Sequence, residues 1–283
     1  MQKILFPMMA FVLTMSAHGQ VETVDTSQFV AVYDYECRTQ NYEGQNVTDC
    51  MQVVVQVGQN VTKSMPLSVY HQIDGFSKSD VATAYQEAYM HIPTVWTGLP
   101  NGKTTVREFI FPHEYEGSET TPVINWLLKA DTITINGYLC QQASATFRGV
   151  SWHVYYSEEI PSSAGPWRLC GLPGLIVKAE SEAHTFCIAE LRQEISPITG
   201  PVQNPDVQRT NYEKLIKHRN EIYGNNQYAK NPLYYIADKN GHTLSLSDYI
   251  NHMDVINYGG KQYLLADGRP LLTRAHVYQP LEK

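Results

Sequence analysis

Between Ser151 and Glu159 the chain reads SWHVYYSEE, a spacing that puts His153, Ser157 and Glu159 on one face of a strand. Serine, histidine and a carboxylate are the parts of an acyl-transfer triad. Distance decides against it. Residues four apart in a strand are separated by roughly 13 Å at about 3.3 Å per residue. A serine and its base must lie about 3 Å apart. A Ser/His or Cys/His site of an exported, peptidase-like hydrolase would have to be assembled from separate elements, and no catalytic residue is assigned.

Other chemistry is equally thin. His184-x-x-Cys187 offers two metal-ligating types, but no second pair stands at zinc spacing and no H-E-x-x-H occurs. No metal site is expected. The stretch GPWRLCGLPGLI, residues 165–176, is rich in glycine and proline, yet no P-loop lysine follows and no serine sits between its glycines. It is neither a phosphate cradle nor a nucleophile elbow. Gly165 and Pro166 make one break. Pro173 and Gly174 suit the centre of a type II turn, with Trp167 to Cys170 a short strand between the breaks. No dinucleotide fingerprint follows any strand, so no cofactor is expected.

The five cysteines belong to a chain with an export signal. Lys3 precedes an apolar run from Ile4 to Ala17, and Ala17-His18-Gly19 supplies small residues for cleavage. Residues 1–19 are therefore read as a signal peptide, and the run is too short to favour a permanent span. Export favours disulfides. Cys37, Cys50, Cys140 and Cys170 are candidates, and a Cys37–Cys50 bridge would add about 3 kcal/mol by closing a local hairpin. One cysteine is left over. A thiol–disulfide function is the weakest reading, because no C-x-x-C is present. The net charge of −7, or −8 once Lys3 is removed, repels phosphate backbones, so nucleic acid is not an expected partner.

Strands must position whatever site exists. Phe29, Ala31, Tyr33, Tyr35 and Cys37 alternate, as do Met51, Val53, Val55 and Val57. A helix is expected from Ser79 or Asp80 to Pro93, then a strand from Thr104 to Phe111. Asn136-Gly137 marks a hairpin. Further strands are expected at 142–147, 151–158, 175–180 and 184–191. Residues 196–205 hold three prolines and a glycine and read as a linker. A helix then carries Tyr212, Leu215, Ile216 and Ile222 on one face and ends at Gly224. Its Lys214, Lys217, His218 and Arg219 read as a solvated face.

At these residues the chain resembles a known family. Gly171-Leu172-Pro173-Gly174-Leu175-Ile176 is the signature of the GLPGLI family, exported proteins typical of Bacteroidota that also carry a Porphyromonas-derived domain label. Tyr138, Cys140 and Ala143 match its Tyr-x-Cys-x-x-Ala element. Trp152, Tyr155, Tyr156, Glu159, Ile160, Pro161, Gly165 and Pro166 match its aromatic, Ile-Pro and Gly-Pro run, with tyrosine at 155 where members often have tryptophan. Gln279-Pro280-Leu281-Glu282 is similar to its C-terminal Asn-Pro-Leu-Glu. The resemblance implies a β-rich envelope or secreted protein and supplies no catalytic residues.

The expected architecture is α+β. A large, curved, mainly antiparallel sheet with one packed helix spans residues 20–195 and is half-barrel-like, similar to folds that carry lipids or lipoproteins across the periplasm. A C-terminal helix and hairpins, residues 206–283, dock on the same body. The expected function is a non-catalytic envelope binding or maintenance protein, periplasmic, outer-membrane associated or secreted. Its partner would be a hydrophobic or peptide ligand, or another envelope protein. Trp152, Tyr156 and Trp167 are the candidate lining residues.

Overall fold

Side-chain alternation dictates the first pairing. Strands β1 (Thr23–Gln40) and β2 (Asn46–Gly58) run antiparallel. Ala31, Tyr33, Tyr35 and Cys37 share the main core with Val53, Val55 and Val57. Val30, Val32 and Val54 face the other way and pack under Leu67 and Tyr70 of a short helix, α1 (Leu67–His71). These elements belong to a computed structural model that describes residues 22–40, 44–71, 92–110, 113–203, 205, 207–224 and 277–283, plus the backbone of four short strands between 235 and 264.

The sheet grows in both directions from this pair. Beyond β2 come β3 (Thr62–Pro66), β4 (Thr94–Thr97), β5 (Lys103–Ile110) and β6 (His113–Thr120). Beyond β1 come β11 (His184–Arg192), β10 (Leu175–Glu180), β9 (Val150–Ser157), β8 (Tyr138–Phe147) and β7 (Leu127–Ile135). Strand β12 (Pro197–Thr199) pairs with the start of β1, and β13 (Gln208–Asn211) lies parallel to β6. The result is an open sheet of 13 strands, antiparallel except for that last pair, with β13 and β7 at its ends.

One ion pair measures the curvature. Arg148, in the turn between β8 and β9, is paired with Glu119 of β6. Those elements are eight to nine places apart in the strand order, roughly 40 Å in a flat sheet at about 4.8 Å per strand. The sheet must therefore curl until its flanks nearly meet. Helix α2 (Tyr212–Tyr223) seals this side. The Asn211 side chain accepts the Lys214 N–H at 2.9 Å as an N-cap, and Gly224 follows the last turn. Tyr212, Leu215 and Ile216 enter the core. Gly117 on β6 admits the helix, since a Cβ there would lie 3.2 Å from the Cα of Tyr212.

The α+β class, the dominant antiparallel sheet and the helix ending at Gly224 match expectation. Asn136 and Gly137 both adopt positive φ, as the two-residue hairpin requires. Three readings are corrected. Residues 196–205 are not a free linker, because Pro197–Thr199 form β12 and Ile198 is fully buried. Trp167–Cys170 form no strand. Arg219 is buried rather than solvated, for a reason given below. Residues 1–19 and the helix expected from Asp80 lie outside the described residues. Beyond α2, β14 (Tyr235–Ala237) pairs with β15 (Thr243–Ser245), and β16 (Val255–Tyr258) with β17 (Lys261–Leu264).

Candidate functional site

The glycine–proline stretch lies in an inward-folded connection between β9 and β10, residues 158–174. Ala164, Gly165, Pro166, Trp167, Leu169 and Leu172 on it are buried. Its turn is set by Trp167, whose φ is 56° and whose N–H donates to Ser64 Oγ at 2.9 Å. Leu169 N–H closes the turn on Pro166 O at 3.1 Å. A left-handed non-glycine residue costs about 1–2 kcal/mol. Burying an indole contributes about 4–6 kcal/mol, so packing outweighs the strand preference of these residues. The expected type II turn at Pro173-Gly174 is also absent, since the positive φ falls at Gly171 (94°). Gly174 is required by proximity instead: a Cβ there would lie 2.2 Å from Ser157 O.

Trp152, Tyr156 and Trp167 converge in this interior. Trp152 and Trp167 have ring centroids 6.0 Å apart, and Trp152 is 6.2 Å from both Phe186 and His184. All three predicted lining residues are buried in the main core, and none borders either cavity described below. The space that a curved sheet would offer a ligand is filled by the chain's own aromatics.

A second insertion completes the filling. In segment 277–283, Leu281 and Glu282 are buried and Glu282 has no solvent exposure. Arg168 Nη1 lies 2.7 Å from one carboxylate oxygen of Glu282 and Arg219 Nη2 3.0 Å from the other. Tyr212 donates its hydroxyl to the same group. Arg219 also reaches Glu108 at 3.2 Å, while Arg168 and Arg148 both pair with Glu119. Three arginines thus meet three glutamates across β5, β6, the β8–β9 turn, the 158–174 connection and α2. Burial pushes the Glu108 pKa up, and the neighbouring Arg219 opposes that shift. A groove of about 530 Å³ runs beside this segment, bordered by Gln279, Pro280 and Lys283 and by His153 and Tyr155 of β9.

The histidine and cysteine chemistry is committed elsewhere. His184 donates from Nε2 to Pro280 O at 3.2 Å and accepts the Tyr35 hydroxyl on Nδ1 at 2.9 Å, which fixes its neutral tautomer. Burial holds its pKa down at about 4. Among the described residues no histidine ring is hydrogen-bonded to a serine or cysteine side chain, and no cluster of His, Cys, Asp and Glu could hold a metal. All five cysteines are free, which corrects the expected disulfides. Cys37 opposes Asp49, and Cys50 opposes Glu36. Strand alternation therefore sends Cys37 inward and Cys50 to solvent, one register step apart on opposite faces. Cys140 is on β8 and Cys170 in the 158–174 connection. Burial raises the thiol pKa of Cys37 and Cys140 to about 11, so neither is a nucleophilic thiolate.

The open surface lies at the end of the sheet. Strand β7 is exposed along almost its whole length. Of the seven strongly exposed large apolar side chains among the described residues, five fall between positions 123 and 139: Val123, Leu127, Leu128, Ile133 and Leu139. Beside them, residues 124–128 and Gly171, Leu172 and Pro173 of the glycine–proline stretch line an open cleft of about 500 Å³. Trp126 Nε1 donates to Cys170 O at 2.9 Å and fixes one wall to the other. Opposite β8, the pairing slips between Leu128 and Thr132, a bulge that leaves Lys129–Asp131 out of regular register. Sequence reasoning missed this face because alternation identifies the buried side of a strand, not a strand with two wet sides.

No family model matches the chain, and no curated protein matches it. Solved structures of PNGF-II in two crystal forms match 68% and 67% of this chain at 12% identity, with TM-scores of 0.45 and 0.42, over 32% of that chain in each case. The chain thus spans about a third of the PNGF-II length. A LolA superfamily protein from Nitrosomonas europaea matches 60% of this chain and 88% of its own at 8% identity, with a TM-score of 0.27. At this likeness nothing of either protein's activity is carried over. Among the described residues no helix is long and apolar enough to cross a membrane.

Proposed function

We propose that the chain is an exported envelope protein of the GLPGLI type that binds an extended, apolar-rich polypeptide segment of a partner without acting on it chemically. The binding face is strand β7 with the adjoining cleft. One observation carries this reading: exposed apolar side chains concentrate at this end of the sheet, on β7 and in the residues flanking it, next to an open cleft, while the interior is filled. Contiguous exposed apolar surface marks interaction sites in soluble domains. Among the described residues, no strand pairs with the outer edge of β7. An added strand would satisfy its free N–H and C=O groups and set its successive side chains against Leu127 on one face and Leu128 on the other. Burying both leucines would contribute about 3–6 kcal/mol. Export rests on the pattern of residues 1–19, and the family on the signature and its companion motifs.

Selection of a random heptapeptide library on the purified protein tests the reading. Peptides rich in apolar and β-branched residues are expected, and Leu127→Asp with Leu128→Asp weakens them at least a hundredfold, equivalent to about 3 kcal/mol. Failure to enrich any peptide, or equal binding by the double variant, overturns it.

A further inference from the structure

We infer that the arginine–tyrosine cluster around Glu282 is a recognition site for extended Pro-Leu-Glu peptide segments, filled in cis by residues 280–282. Segment 277–283 belongs to no helix or strand. It is held as a bound peptide is held, by its backbone at both ends and by two inserted side chains. Val277 N–H donates to Gln40 O at 2.7 Å, and Lys283 N–H donates to Arg148 O at 2.9 Å. Pro280 O accepts from His184, and Asn220 Nδ2 reaches Glu282 O at 3.4 Å. Between these points Leu281 enters the core, and Glu282 meets two almost fully buried arginines, one on each carboxylate oxygen.

The cations on the receptor side keep partners of their own without the segment. Arg168 keeps Glu119 and Arg219 keeps Glu108 when Glu282 leaves, so an emptied site holds no wholly unpaired cation. Charge-assisted pairing of planar guanidinium with carboxylate selects an acidic residue at that position. The neighbouring groove of about 530 Å³ borders Gln279, Pro280 and Lys283 of the same segment. This site is separate from the β7 face and stands or falls independently of it.

The test is complementation with the full chain. Glu282→Ala disables the resident anchor and leaves the site intact. A fluorescein-labelled peptide spanning Val277–Lys283 is expected to bind this variant at least tenfold more tightly than it binds the unaltered chain, whose own segment competes. The same peptide with alanine in place of glutamate is expected to bind at least tenfold more weakly. Should Glu282→Ala not fold alone, adding the peptide during refolding restores its near-ultraviolet circular dichroism. A folded variant that ignores the peptide, an unfolded one that the peptide does not rescue, or binding indifferent to the glutamate overturns the inference. Mixing the Glu282→Ala chain with an Arg219→Ala chain tests one source: a mixed dimer in native mass spectrometry assigns the trans occupant to a second copy.

Discussion

Replacing Glu282 with alanine is the perturbation whose cost the structure fixes best. Glu282 is fully buried, and its two oxygens lie 2.7 and 3.0 Å from Arg168 and Arg219, both almost fully buried themselves. Arg148, Arg168 and Arg219 balance Glu108, Glu119 and Glu282. Removing one carboxylate leaves an excess buried cation. Breaking a buried pair from one side costs about 3–5 kcal/mol. Each arginine retains another carboxylate, so the lower end applies, about 3 kcal/mol. Domains of ordinary stability hold about 5–15 kcal/mol in total, so the loss is large. Urea denaturation followed by tryptophan fluorescence reads it directly. Arg219→Ala combined with Glu282→Ala restores a balance of two against two. The double variant is therefore less destabilised than the two single costs combined, by at least about 1 kcal/mol. A loss below about 1 kcal/mol for Glu282→Ala, or strict additivity in the double variant, would show that segment 277–283 is not seated as described.

Three further outcomes follow from the same geometry. Burial takes the His184 pKa from its ordinary 6.5 to about 4, so the unfolded chain binds that proton first. The associated stability is complete above pH 6.5 and is lost as pH falls towards 4, by about 3 kcal/mol. Urea midpoints for the natural chain and for His184→Gln should diverge in slope over that window, and parallel profiles would refute the assignment. Gly174→Ala places a Cβ 2.2 Å from Ser157 O and should cost about 3 kcal/mol. Gly102→Ala, at positive φ but in open space, should cost about 1 kcal/mol, and thermal melts would reveal an equal loss if the close approach is not real. Thiol titration of the denatured, unreduced protein should count five thiols, with Cys50 reacting ahead of Cys37 and Cys140 in the native state; a count of three or one would establish disulfides.

What the sequence made legible was local. Alternation along β1 and β2 sorted Ala31, Tyr33 and Tyr35 from their neighbours correctly, because a one-residue slip would turn both tyrosines out of the main core. Asn136-Gly137 announced its turn, since both residues tolerate positive φ. Arg148-Gly149 adopts the same φ signs with no such cue, because an arginine pays for that conformation through its ion pairs. Arg219 looked solvated from its helix neighbours alone. Its partners are Glu108, on β5, and Glu282, far along the chain, and no periodicity encodes such a meeting. The cysteines misled for a related reason. Cys37 and Cys50 are close in sequence and on paired strands, yet register places them on opposite faces. Trp152, Tyr156 and Trp167 were recognisable as one aromatic group. Whether that group lines a cavity or fills one depends on the 158–174 connection, whose path is set by tertiary contacts such as Trp167 to Ser64.

Amide hydrogen exchange along residues 127–135 is the most direct measurement of the binding face. In the free protein these amides should exchange fast where they face outward from β7. With a selected apolar peptide bound, they should slow at alternate positions, together with Leu127 and Leu128 becoming inaccessible. Unchanged exchange on β7, with protection appearing instead at the core strands or nowhere, would contradict the assignment of the terminal strand as the site of binding.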